Sequence, residues 1–173
     1  MSNQPDPMRH NIIDWCAEDD IPCTDLTNTG NNSNTLSWIF TVGNPPAVSF
    51  FKPLNLPNRI FIQTAINLSP DHVTLLARDD QAQRRQAIML KIQTLAIQLD
   101  TNPNFRFNNQ QQFTSMTTNT IHFYSTMKKA IFLEKYIRQQ NVTSLVLNHL
   151  NADLGIGIQT QTSTDTANDI GIA

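Results

Sequence analysis

With 173 residues, 39 % apolar and only 15 % charged, and with 12 Lys and Arg against 14 Asp and Glu, the chain carries a formal net charge of −2. That length suffices for one domain with a buried core, and so small a charge excludes a long-range field that would gather phosphate backbones or an anionic membrane. No run approaches the roughly 20 apolar residues of a membrane-spanning helix, and the N-terminal Met-Ser-Asn-Gln-Pro-Asp-Pro lacks the basic start and apolar centre of a secretory signal, so a cytoplasmic location is expected.

Asp6-Pro7 opens the first helix. An Asp side chain accepts from the unpaired amides of a first turn, and Pro suits the first helical position because its missing N–H would have had no partner. Met8, Ile12, Trp15 and Cys16 then share one face as far as about Asp19. Asp19-Asp20 sets two negative charges against the helix dipole, so the helix is expected to stop there. Residues 21–26 read as a brief extended segment, and residues 27–35, rich in Asn, Thr and Gly, as a loop.

Three strands in series come next. Residues 36–42 carry Trp38, Ile39 and Phe40, and residues 47–52 follow the turn Gly43-Asn44-Pro45-Pro46. In residues 59–67, Ile60, Ile62, Thr64 and Ile66 alternate with Phe61, Gln63, Ala65 and Asn67, the period of two expected of a strand. Short connections between successive strands predict an antiparallel meander.

The junction Asn67-Leu68-Ser69-Pro70-Asp71-His72 ends the strand pattern and starts a helical one. Ser69 is placed to cap, Pro70 to begin the first turn, and Asp71 to favour the positive end of the dipole. Val73, Leu76 and Ala77 belong to this first stretch; Asp79-Asp80 either caps a second start or lies within one continuous helix. Ile88, Ile92, Leu95, Ala96 and Leu99 form a single stripe, which residues 100–104 end. Residues 105–113 and 118–124 read as two more strands. Thr126 is expected to cap a last helix bearing Ala130, Leu133, Tyr136 and Ile137, extending to Val142, Leu145 and Leu147. The predicted class is α+β in the order α-β-β-β-α-β-β-α, one domain over residues 1–150. Residues 151–173 are a polar tail read as disordered, because a segment dominated by Thr, Gln, Ser, Asn and Asp buries too little to order itself.

That order, the Asn67–His72 junction and the segment Ile121-His122-Phe123-Tyr124 resemble the type III secretion chaperone-like fold. More closely, they resemble an archaeal family of unknown function that shares this fold with bacterial putative sensory-transduction regulators. The resemblance implies a twisted antiparallel sheet with helices packed on it, frequent dimerisation, and, in members named as chaperones, binding of unfolded segments of partner proteins. It brings no catalytic residues. The long Gln/Thr tail and low acidity depart from the secretion-chaperone pattern, which argues against a secretion role.

Few residues suggest chemistry. The two cysteines, Cys16 and Cys23, are not spaced for zinc and read as reduced thiols filling apolar space. A disulfide between them requires the helix end to fold back until the two Cα atoms lie within about 7 Å. His10, His72, His122 and His149 form no metal-binding pair, and neither metal nor cofactor is expected. Asp19-Asp20 and Asp79-Asp80 read as solvated helix ends rather than a cation or acid–base site. Arg84, Arg85 and Lys91, and Lys128, Lys129, Lys135 and Arg138, are the basic clusters. Even with Phe105, Phe107 and Phe123 on nearby strands, the negative net charge argues against a nucleic-acid platform.

The apolar pattern is more telling. Phe50 and Phe51 are neighbours on a strand, so they point to opposite faces, and Phe61 faces away from Ile60 and Ile62. Apolar groups on both faces need cover, either from helices within one monomer or from a partner. The expectation is a non-enzymatic protein-binding domain, a homodimer that takes a flexible protein segment, with Phe50, Phe51, Phe61, Phe123 and Tyr124 as its candidate surface. The alternatives are a small hydrolase assembled around His72 or His122 with Asp residues, and a weak nucleic-acid binder.

Overall fold

The computed structural model describes residues 6–30 and 32–154. Asp6 caps α1 (Pro7–Glu18), its carboxylate accepting from the Met8 amide at 3.0 Å, with Pro7 in the first turn as the sequence predicts. The helix closes on Asp20, which takes a left-handed φ of 53°. The Ile21 amide donates to Cys16 O at 2.8 Å and the Asp20 amide to Ala17 O at 3.4 Å, a Schellman closure that satisfies the last carbonyls. The acidic helix end does not stand against the dipole alone. Lys129 Nζ, brought from the far end of the chain, lies 2.7 Å from Glu18 and 2.8 Å from Asp19.

The next strands are β1 (Cys23–Asp25), β2 (Leu36–Val42), β3 (Val48–Pro53) and β4 (Arg59–Asn67). Residues 27–35, expected as loop throughout, include one helical turn, α2 (Asn32–Thr35). The Asn32 side-chain amide anchors it by donating to Leu26 O at 3.1 Å. After the sheet's first half come α3 (Pro70–Ala77), a 3₁₀ turn at Asp79–Gln81, and α4 (Ala82–Gln98). Ser69 Oγ accepts from the His72 amide at 3.2 Å, the capping read from the sequence. The last strands, β5 (Asn102–Phe107) and β6 (Phe113–Phe123), join on the free side of β4, giving one antiparallel sheet of order β1-β2-β3-β4-β6-β5. The class is the one predicted, and the order is broadly so, with β1, α2 and the division of the middle helix into α3 and α4 added to it; the helices pack on a six-stranded sheet.

Boundaries shift where local signals mislead. Pro103 and its Asn neighbours, read as a helix stop, lie inside β5; this is an edge strand, where a missing N–H interrupts no second ladder. The hairpin turn falls instead at residues 108–112, built by Asn108 Oδ1 accepting from the Gln110 and Gln112 amides at 3.0 and 2.9 Å. Thr126 does not cap the last helix. Its hydroxyl donates to Phe123 O and pairs with His122 Nε2 within a 3₁₀ turn, Tyr124–Thr126, and α5 (Lys129–Leu154) starts afterwards. The helix also outlasts its predicted end. Leu154 continues the buried stripe of Val146 and Leu150, and Arg84 and Lys91 of α4 hold Asp153, so residues 151–154 belong to the fold. The reading of residues 155–173 as disordered lies outside the described residues.

Helices α1, α3, α4 and α5 pack on one face of the sheet, where the core forms two apolar clusters. One joins Met8, Ile12 and Cys16 of α1 to Trp38, Phe40, Phe50, Ile60, Ile62 and Phe132. The other joins Ile66, Phe113 and Met116 to Leu76, Ile88, Ile92 and the C-terminal half of α5. Between them lies a polar seam of Thr64, Thr118, Gln139 and Thr143, all buried. Gln139 Nε2 donates to Thr118 O and Oγ1, both at 2.6 Å, which satisfies a buried amide from within the core. The stripe through Phe132, Gln139, Val142, Val146 and Leu150 turns Ile137 and Leu145, expected on the buried side, out to solvent.

Candidate functional site

The opposite face of the sheet carries none of these four helices. Strand register places Ile39, Phe51, Phe61 and Ile121 in one row across β2, β3, β4 and β6, with Arg59 opposite Phe123 in the next row. The row is graded. At the β2–β3 end, Leu36, Ile39 and Phe51 form a small third cluster with Leu26 and Phe61 against it, and Phe51 is only 3 % exposed. Phe51 and Phe61 stack at 5.4 Å between ring centroids. At the β6 end the cover is gone: Ile121 is 50 % and Phe123 53 % exposed. The Arg59 guanidinium lies 3.9 Å from the Phe123 ring centroid, a cation–π contact that holds the ring across the strand pair. Beyond this corner the face is uncharged and polar over two rows. Thr41, Ser49, Gln63, Asn119 and Asn102 form the first, and Ala65, Thr117 and Asn104 the second.

The five residues singled out from the sequence therefore part company. Phe50 is core, packed against Phe132 at 4.6 Å on the helix side, so it is removed from the candidate surface. Phe51 faces the open side but is buried there. Phe61 and Phe123 remain on the accessible corner, and Ile121 and Arg59 join them. Ile121 and Phe123, two positions apart on one strand, share a face by alternation. What it lacked was the pairing of β6 with β4, which makes them neighbours of Phe61.

Tyr124 is taken up in a different constellation. Its hydroxyl donates to Asp6 Oδ1 at 2.5 Å; Lys52 Nζ lies 2.7 Å and Trp38 Nε1 3.0 Å from Asp6 Oδ2. The helix cap is thus also the acceptor that ties β2, β3 and the turn after β6 to α1. Burial works to raise the Asp6 pKa, but hydrogen bonds from Lys52, Tyr124 and the Met8 amide, with the Lys52 charge, hold it below the usual carboxylate range. Burial and the bond to Asp6 push the Tyr124 phenol up to about 12. Asp6 thus joins four donors from separate parts of the chain, the arrangement of a fastening.

The histidines do not converge. His72 lies beyond the Asn67 end of β4 and His122 opposite Ile60, so about 23 Å of strand, at about 3.3 Å per residue, separates the two ends. Burial lowers the pKa of both, aided at His122 by Lys135. Among the described residues, no group of three or more His, Cys, Asp and Glu is placed to hold a metal ion. The basic clusters are largely consumed within the chain. Arg84 and Lys91 bond Asp153, Arg85 bonds Leu76 O, Lys129 pairs with Glu18, and Arg138 with Glu134. Of the acidic pairs, Asp19 is engaged by Lys129, and Asp80 takes both Arg78 and Gln81. No helix among the described residues is long and apolar enough to cross a membrane.

Comparison with known proteins places the fold and little else. A family model described as an uncharacterized conserved protein (DUF2299) matches residues 8–150. A solved structure, described as the crystal structure of an uncharacterized protein from Methanothermobacter thermautotrophicus, is similar with a TM-score of 0.70 and 13 % sequence identity. The likeness covers 83 % of this chain and 96 % of that one. No curated protein matches.

Proposed function

The chain belongs to the DUF2299 family of uncharacterized conserved proteins, and from the geometry of its open sheet face we propose that it is a non-enzymatic protein-binding domain whose partner is a second copy of itself. The observation that carries this reading is the exposed end of the apolar row, Ile121 and Phe123 beside Phe61. An apolar strip that is buried at one end and bare at the other is continuous with the core pad of its own fold, and a partner needs only to extend that cover. The magnitudes set the shape of the contact. Two half-exposed large side chains offer roughly 200 Å² of apolar area per copy, taking 150–250 Å² for a whole aromatic. A standard interface buries about 800 Å² per partner. The corner therefore supplies the apolar centre, and the rows of Thr, Ser, Asn and Gln supply the rim. Those rows lack formal charge, so covering them carries no ion desolvation, and a net charge of −2 gives two copies little reason to repel. The chaperone-like resemblance of the element order fits the same reading, with a flexible protein segment as a further occupant of this face.

Sedimentation equilibrium of the full chain tests it. The wild type sediments as a dimer, and Phe123→Glu or Ile121→Glu yields a monomer with unchanged circular dichroism. A wild-type monomer at the highest attainable concentration, or a dimer indifferent to both substitutions, sinks the proposal.

A further inference from the structure

We propose that Cys16 and Cys23 form a dithiol centre that closes to a disulfide by exchange with small-molecule disulfides. Three features bring the pair together. Cys16 belongs to the buried stripe of α1 that faces the sheet, with Met8 and Ile12. The Schellman closure through Asp20 and Ile21 then reverses the chain. Cys23 pairs in register with Val42, whose side chain lies in the same helix-side cluster, so Cys23 is directed back toward α1. The helix end folds back as a pairing of the two requires, and Cys23 packs against the cluster that contains Cys16.

Both thiols belong to one packed cluster, Cys16 within it and Cys23 against it, and their environments differ. Cys16 is buried, whereas Cys23 is half-exposed. Contact with Cys23 and burial push the Cys16 thiol up, so it keeps its proton. The neighbouring Cys16 thiol lowers the Cys23 thiol, against burial and the Asp25 charge. Because Cys23 is the accessible thiol and Cys16 the buried one, Cys23 is the attacking sulfur and Cys16 the resolving one.

The chemistry balances without any group the chain lacks. The Cys23 thiolate attacks one sulfur of a small disulfide RSSR, breaking its S–S bond and releasing RS⁻, which takes up a proton from solvent as RSH. Cys16 then attacks Cys23 Sγ, its proton passing to the departing sulfur, so that the Cys16–Cys23 bond forms, the mixed disulfide breaks and the second RSH leaves. Both cysteines are oxidised, and one RSSR is reduced to two RSH. The centre is independent of the sheet corner on the opposite face, so its failure leaves the binding proposal untouched.

The test treats the reduced full chain with excess oxidised glutathione and reads the intact mass. The wild type ends lighter by two hydrogens and becomes inert to iodoacetamide. Cys16→Ser stops with one glutathione on Cys23, and folded Cys23→Ser stays unmodified. Phenylarsine oxide, a dithiol-selective probe, binds the reduced wild type one to one and neither variant. Should a serine variant fail circular dichroism as a folded protein, the wild-type mass and arsenical stoichiometry decide. Glutathione retained without closure, a disulfide formed between chains, or no arsenical binding overturns the proposal.

Discussion

Replacing Asp6 by Ala removes one acceptor from four donors in separate parts of the chain: the Met8 amide, Trp38 Nε1, Lys52 Nζ and the Tyr124 hydroxyl. Loss of the helix cap alone costs about 1 kcal/mol. The Trp38 indole is fully buried, and its N–H left without an acceptor adds about 1–3 kcal/mol. Lys52 and Asp6 side chains are only 13 % and 15 % exposed, so their pairing behaves more like a buried than a surface ion pair. Removing one partner of such a pair costs about 3–5 kcal/mol at most, and that figure already contains part of the lost hydrogen bonding. The expected total is about 3–5 kcal/mol, a large share of the roughly 5–15 kcal/mol that holds a domain. Urea unfolding followed by Trp15 and Trp38 fluorescence reads it as a lower midpoint at unchanged slope. A double-mutant cycle of Asp6→Asn with Lys52→Met returns a coupling of about 1 kcal/mol or more. The sign with pH follows from the depressed Asp6 pKa: its contribution is present above the ordinary value near 3.8 and is lost as pH falls through the folded value. A loss below about 1 kcal/mol for Asp6→Ala, no more than an exposed cap gives, refutes the account of Asp6 as a fastening.

Gly43 has φ 85°, and a Cβ there meets the Tyr136 ring, with Cε2 at 2.9 Å, so Gly43→Ala destabilises by about 1–3 kcal/mol in the same assay; a neutral result removes the argument. Asp20→Gly raises stability by about 0.5–1 kcal/mol, since Asp20 holds a left-handed φ at the acidic end of α1; a loss of stability means the Asp side chain supports that turn. Burial lowers the His72 pKa, so the unfolded chain binds the proton more readily: stability is full above the ordinary value of 6.5 and falls as pH drops below it. His72 Nε2 has no partner among the described residues, so His72→Leu keeps the fold and flattens part of the decline in unfolding midpoint between pH 7 and pH 5, and an unchanged slope refutes the assignment.

Local rules carried the chain far. A cap and a proline at Asp6-Pro7 and at Ser69-Pro70, a period of two through Ile60–Ile66, and a stripe through Ile88, Ile92 and Ala96 each specify an element from neighbours in sequence, and each element is present. Errors arose where a local signal was overruled by position in the sheet. Pro103 is harmless on an edge, and Asn108 makes a turn that no Gly announces. The same limit governs the candidate surface, where alternation alone assigned Phe50 and Phe51 to opposite faces but gave no means of telling which of the two the helices cover.

Periodicity within the chain determined the class, the order of the main strands and helices and, within most of them, which side chains share a face, because those properties depend on residues a few positions apart. Only the tertiary structure decided that all four long helices lie on one side, that β6 rather than β5 flanks β4, and that Asp6 binds groups 32, 46 and 118 residues away. Contacts at such separations are set by which surfaces fit together after the elements form. A repeat of two or of 3.6 residues holds no information about them.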